Sequence, residues 1–183
     1  RMGRYVAERV ASRLGKTILE LGGNNAIIVT PSADLQIAIP GIVFGSVGTC
    51  GQRCTTTRRL IIHESIYDQV KTQLVRAYQQ LDSRIGNPLS EGILIGPMID
   101  AEAVKTFQNA LEQIKKQGGT ILTGGESVQN VPSGLYVRPV LAEAENHWEI
   151  VQEETFGPLL YLIRYQNFDD AIKLQNDVPQ GLS

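Results

Sequence analysis

Both cysteines of the chain lie in one short run, "GTCGQRCTT" (48–56), at positions 50 and 54. Three chemistries use such a pair. A zinc site accepts Cys-x3-Cys spacing but needs four ligands, and the only histidines, His63 and His147, stand alone in the sequence. A disulfide between Cys50 and Cys54 would close a trivial loop, and the spacing is not the C-x-x-C of redox motifs. The third chemistry is a single nucleophilic thiolate at Cys54. The run falls between a helix and a strand, small neighbours leave room for a substrate carbonyl, and Arg53 and Arg58 would favour the thiolate. Against it stands the usual fate of a free cysteine, a small buried hydrophobe. Residue types alone leave those two readings open.

Glu20 adds a second group. It stands near the end of "KTILEL" (16–21), ahead of Gly22-Gly23, a turn that lets backbone come close to another group. A carboxylate flanked by apolar segments is expensive to bury unpaired, and burial would lift its pKa toward the range of a general base. The alternative is a strand-end glutamate facing water.

The elements that must position these groups follow from periodicity. Val6, Val10 and Leu14 mark a helix over 3–14 that Gly15 stops. "KTILEL" reads as a strand and "AIIV" (26–29) as a second one, buried on both faces. Pro31-Ser32 opens a helix over about 33–47, bent at Pro40, which ends in the cysteine run. "RRLIIHE" (58–64) is a strand. Ser65 and Asp68 form a capping box for a helix striped by Ile66, Val70, Leu74, Ala77 and Leu81. After a Gly- and Pro-rich loop at 84–99, Asp100 caps a helix that stops at Gly118-Gly119. Then come a strand at 120–122, an extended segment at 135–144, a strand at 157–165, and a helix from Phe168 to Asn176 capped by Asp169. This alternation predicts an α/β fold with a mainly parallel sheet flanked by helices.

With 183 residues, one domain is expected. A net charge of −2 with no basic run argues against nucleic acid and membrane-surface partners. No apolar run approaches the roughly 18–20 residues of a bilayer span, and the start has no signal-peptide core. Two cysteines suit a reducing interior, cytoplasmic or, in a eukaryote, mitochondrial. The chain opens on Arg1 and stops at "NDVPQGLS" with no element clearly finished, so it reads as a piece of a longer polypeptide.

Three segments carry a resemblance. "ELGG" (20–23), "GQRCT" (51–55) and "EETFGP" (153–158) resemble, in order, the signatures of the NAD(P)-dependent aldehyde dehydrogenase superfamily, with Glu20 and Cys54 34 residues apart as in that family. "GNP" (86–88) and "GPMID" (96–100) are similar to family loops. "ELGGNNA" and "VGTCGQRCTTTRRL" look most like the α-aminoadipic semialdehyde branch, although that branch often has Ala where Gly157 stands.

The resemblance implies that Cys54 is the nucleophile, forming a thiohemiacetal and then a thioester, and that Glu20 is the base that activates water to hydrolyse it. It implies that Glu154 meets the nicotinamide ribose, Phe156 packs near the nicotinamide, and the Leu21 backbone contacts the carboxamide. In this branch Arg53 would bind the far carboxylate of the substrate, a task suited to a planar guanidinium. The implied cofactor is NAD, with NADP also open, and no metal is implied. The implied partners are a small aldehyde and further copies of the chain, in a dimer or tetramer. Residues 1–20 would be a stub of the cofactor domain and 21–183 a catalytic domain lacking its last segments. The rival readings are a thiol-dependent esterase or acyltransferase without cofactor, and a non-catalytic structural domain derived from the family.

Overall fold

The computed structural model describes residues 2–182. In chain order the elements are α1 (Met2–Ala11), β1 (Asn25–Val29), α2 (Leu35–Val47), β2 (Thr57–His63), α3 (Tyr67–Gln79), α4 (Ala101–Lys116), β3 (Thr120–Thr123), β4 (Val140–Glu143), α5 (Glu149–Gln152), β5 (Leu159–Tyr165) and α6 (Phe168–Asn176). The strands form one sheet in the order β1-β2-β5-β4-β3. All neighbours pair in parallel except β3, which runs antiparallel to β4 at one edge. The expected α/β architecture is the observed one.

Within the central strands, "LII" (60–62) of β2 and "LLYLI" (159–163) of β5 are continuously apolar because both of their faces are covered. Leu60 and Ile62 of β2 belong to the main core with α2, α3 and α4, while Ile61 joins Tyr165 and Ala171 beneath α6 on the other face. Each Leu or Ile among them, fully withdrawn from water, contributes about 1.5–3 kcal/mol. The helices are set by their own sequence. Asp100 accepts a hydrogen bond from Ala103 N at 2.8 Å as the N-cap of α4. That helix buries Phe107, Ala110, Leu111 and Ile114 on one stripe, and the chain turns away at Gly118, with φ +93°. Ser46 and Tyr78 share a 2.7 Å hydroxyl contact that ties α2 to α3.

Several expectations are corrected. Residues 15–24 form coil, and "KTILEL" is not a strand. Ile18 is 93% exposed, and no described strand lies alongside to pair its backbone or cover its side chains. Ser65 and Asp68 build no capping box: His63 Nδ1 accepts from Ser65 N, a 3-10 turn covers Glu64–Ile66, and the Asp68 carboxylate pairs with Lys71 and Arg164 instead. The cap of α6 is Asn167, which is extended and accepts from Asp170 N, while Asp169 sits in the first turn, where its charge suits the helix dipole. α2 starts at Leu35 behind the cap Asp34, and Pro40 lies inside it on an exposed side. Only Val140–Glu143 of the 135–144 segment joins the sheet, and the short α5 had no sequence signal.

After α2 the chain passes through three consecutive left-handed residues, Thr49 (φ +57°), Cys50 (φ +53°) and Gly51 (φ +65°). A Cβ on Gly51 would stand 2.2 Å from the carbonyl oxygen of Gly157, so backbone meets backbone there. In the full-length protein, Gly51→Ala should therefore lower stability by about 1–3 kcal/mol through strain and clash. Urea unfolding checks it, and an unchanged midpoint would show that the cysteine loop does not depend on this contact.

Candidate active site

Three loops meet at the amino ends of the parallel strands: Gly22-Gly23 before β1, Arg53–Thr56 before β2, and Glu154–Phe156 before β5. Sites in open α/β sheets usually lie at the carboxyl ends. Here the helix-to-strand connections carry the chemistry-bearing residues, so the site gathers at the opposite edge.

Arg58 joins the three loops. β1 pairs Asn25 with Thr57 but Ala26 with Arg59, which leaves Arg58 as the extra residue of a bulge at the start of β2. Its guanidinium is buried at 1% exposure. Nε donates to Thr155 O at 3.1 Å, Nη1 to Gly23 O at 3.3 Å and Thr56 O at 3.1 Å, and Nη2 to Arg53 O at 3.0 Å. Nη2 also pairs with Glu154 Oε1 at 3.2 Å. Burial pulls the Arg58 pKa below its usual value, and the charges of Glu154 and Cys54 oppose that pull.

The two cysteines differ. Cys50 is buried, its Sγ 3.6 Å from Met98 Sδ, and burial raises its pKa to about 12. Cys54 is half-buried, and neither cysteine is in a disulfide. The loop around Cys54 is tightly held. Arg53 N donates to Thr56 Oγ1, Thr56 N donates to Arg53 O, and Cys54 O accepts from Asn25 Nδ2 at 2.7 Å. Gln52 reaches the Gly- and Pro-rich loop, with Oε1 accepting from Ile99 N and Nε2 donating to Pro97 O.

Glu154 lies over the glycine turn. Gly23 N donates to its Oε1 at 3.1 Å, and a Cβ on Gly22 would fall 1.9 Å from its Oε2. Phe156 is 43% exposed, and its ring sits 5.3 Å from the Arg58 guanidinium carbon. A partly exposed carboxylate beside an exposed flat ring suits a ligand that offers a hydroxyl donor and a planar apolar face. A Cβ on Gly157 would meet only the side chains of Phe107 and Met98, at 3.1 and 3.3 Å, so an Ala at this position needs only slight side-chain adjustment.

The other expected site residues stand further out. Glu20 is exposed on coil, not buried at a strand end, and Leu21 rests its side chain on Gly3 of α1. Arg53 Nη2 donates to Phe44 O and Gly45 O at the end of α2, and its guanidinium carbon lies 5.3 Å from the Phe44 ring. Its Nε is buried with no partner. Sequence reasoning gave Arg58 only a charge and missed its bridging role, and it missed Asn25 altogether. The signals were present as polar pairs, "NN" and "RR", at the two strand starts. No three His, Cys, Asp or Glu side chains among the described residues are grouped as a metal ion would need.

Comparison with known proteins places the chain in a family. The chain is 49% identical over its whole length to aldehyde dehydrogenase family 7 member B4 of Arabidopsis thaliana, covering 35% of that protein. It is 46% identical to alpha-aminoadipic semialdehyde dehydrogenase of Bos taurus, covering 33% of it. The chain therefore spans about a third of the length of the curated relatives it matches. HpcC from Thermus thermophilus superposes with a TM-score of 0.93 at 32% identity, over 99% of this chain and 36% of that one. Betaine aldehyde dehydrogenase from Staphylococcus aureus, solved in complex with NAD+, gives 0.92 at 27% identity, over 97% of this chain and 35% of that one. The aldehyde dehydrogenase family pattern matches residues 1–183, and the chain belongs to that family.

Proposed function

We propose that the complete protein oxidises an aldehyde to a carboxylic acid with NAD, and that the aldehyde is α-aminoadipic semialdehyde from lysine breakdown. The observation that carries this reading is the convergence on Arg58 of a half-buried thiol loop, a glycine turn and the Glu154 carboxylate. The family 7 relatives support the substrate class, and the NAD+ complex of the betaine enzyme supports the cofactor.

Cys54 Sγ attacks the carbonyl carbon, and the Cys54 N–H donates to the resulting oxyanion. NAD, when bound, supplies the hydride acceptor that converts this adduct to a thioester on Cys54. Glu154 and Phe156 would hold the nicotinamide end, with Glu154 accepting from a ribose hydroxyl and the Leu21 backbone meeting the carboxamide. Glu20 then takes a proton from water, the hydroxide attacks the thioester carbon, and the thiolate leaves with release of the acid. Arg53 faces the far end of the substrate. Its guanidinium, beside the half-exposed Phe44 ring, would pair with a substrate carboxylate. In this reading residues 1–20 are the end of a cofactor domain and 21–183 the catalytic domain, and the complete chains assemble as a homo-oligomer.

Iodoacetamide near neutral pH should label Cys54 and spare Cys50, whose thiol stays protonated with a pKa of about 12. Peptide mapping reads the outcome, and preferential labelling of Cys50 would overturn the assignment. Glu20→Gln in the full-length protein should leave a rapid burst of NADH absorbance followed by slow turnover, because its work comes after the thioester forms. Equal losses in burst and steady state would sink the base role. Arg53→Ala should raise KM for the semialdehyde about tenfold, since a hydrogen bond to a charged group is worth about 1.5–3 kcal/mol. A neutral aliphatic aldehyde should change little; parallel losses for both substrates would assign Arg53 to the fold.

A further inference from the structure

We propose that Asn25 is a positioning residue for the nucleophile, fixing the Cys54 peptide from the start of the neighbouring strand. The inference rests on Cys54 being the nucleophile. Asn25 is the first residue of β1 and is 4% exposed. Its Nδ2 donates to Cys54 O at 2.7 Å and to Thr56 O at 2.9 Å. Two carbonyl acceptors on the nitrogen define the orientation of the amide, with Oδ1 lying against the Gly23 backbone. That oxygen is buried and has no hydrogen-bond partner.

Both donors thus go to the thiol loop, on either side of Thr55, and the acceptor is left unsatisfied for it. A buried, unpartnered amide oxygen costs free energy that an apolar residue here would avoid. The arrangement makes sense if the two donated bonds set a geometry. The Cys54 carbonyl is pinned by Asn25, the Arg53 carbonyl by Arg58 and Thr56 N, and the Thr56 carbonyl by Asn25 and Arg58. Asn25 is the only one of these partners that holds the carbonyl of the cysteine itself. Fixing that peptide plane fixes the direction of the Cα–Cβ bond and hence the line along which sulfur meets a carbonyl carbon. Gly23 completes the packing: a Cβ there would lie 2.5 Å from Cys54 O and 2.6 Å from Asn25 Oδ1, so the turn closes directly over this amide.

The test uses the full-length protein with Asn25→Asp, which keeps the shape but turns acceptors toward two carbonyls, and Asn25→Ser, which is small and cannot reach both. Stopped-flow NADH bursts, KM for NAD, and thermal unfolding are measured on each. We expect the burst rate constant to fall at least tenfold, against the roughly 100-fold that an ångström of misplacement can cost. Burst amplitude per folded subunit and KM for NAD should stay near wild type. A wild-type burst rate with only lower amplitude or a lower melting temperature, in whichever variant folds, would show a structural role alone and overturn the inference. Cys54→Ser is measured alongside. If it keeps the burst, the nucleophile assignment itself has failed, and the inference falls with it. If it loses the burst while both Asn25 variants keep the wild-type rate, only the inference has failed.

Discussion

The guanidinium of Arg58 is the constraint on which the site depends. Burying a charge is expensive unless every donor finds a partner. Arg58 meets this condition with four backbone carbonyls and one carboxylate oxygen, drawn from residues 23, 53, 56, 154 and 155. Those positions span most of the sequence, so the charge can be satisfied only when all three loops are in place. A lysine could not substitute, because an ammonium has three donors in a compact head and cannot span acceptors arranged around a planar fork. The bulge between β1 and β2 makes the geometry available, by admitting one extra residue where the strand begins.

Placing the site at the amino ends of the strands has an electrostatic consequence. The loops that arrive there come from helix C-termini, where unpaired carbonyls make the field negative. A thiolate in such a place gains nothing from a helix N-terminus, the usual aid to reactive cysteines. Positive charge has to come from side chains, and the chain supplies Arg53 on the last carbonyls of α2 and Arg58 beneath the loop. The left-handed run at residues 49–51 follows from the same arrangement, since the chain must leave α2 and reverse within a few residues to start β2.

Much of the fold was legible in the sequence because local rules decided it. Asp100 ahead of an apolar stripe and Gly118 behind it defined α4 to within a residue or two, and the strand at 26–29 was legible as a strand, although β1 lies at an edge of the sheet and is only partly buried rather than covered on both faces. Local rules failed where the partner was remote or missing. "KTILEL" has strand composition, but a strand needs a neighbour to take its backbone bonds, and no described strand lies beside it. Asp68 looked like half of a capping box until Arg164 and Lys71 claimed its carboxylate. Glu20, equally conspicuous in the sequence, lies outside the cluster on exposed coil, while at the site the reactive types Cys54 and Glu154 stood out in short motifs. The residues that hold them together did not, because "RRL" at a strand start resembles a solvated edge, and nothing local says that both arginines are buried.

Arg59, the second of that pair, points to the opposite face of the sheet and is fully buried. It donates to Asn24 O, Asn146 Oδ1 and the carbonyls of Leu174 and Gln175 in the last turn of α6, and burial lowers its pKa to about 10 against the pull of Asp177. These last acceptors lie 115 and 116 residues further along the chain. During synthesis β2 therefore leaves the ribosome long before the groups that make its burial tolerable. In a nascent chain that ends before residue 174, two of the four acceptors that offset the burial of this arginine are not yet present. The same linkage makes the end of α6 part of the packing of β2, because deleting it would remove two of the four acceptors of a buried charge.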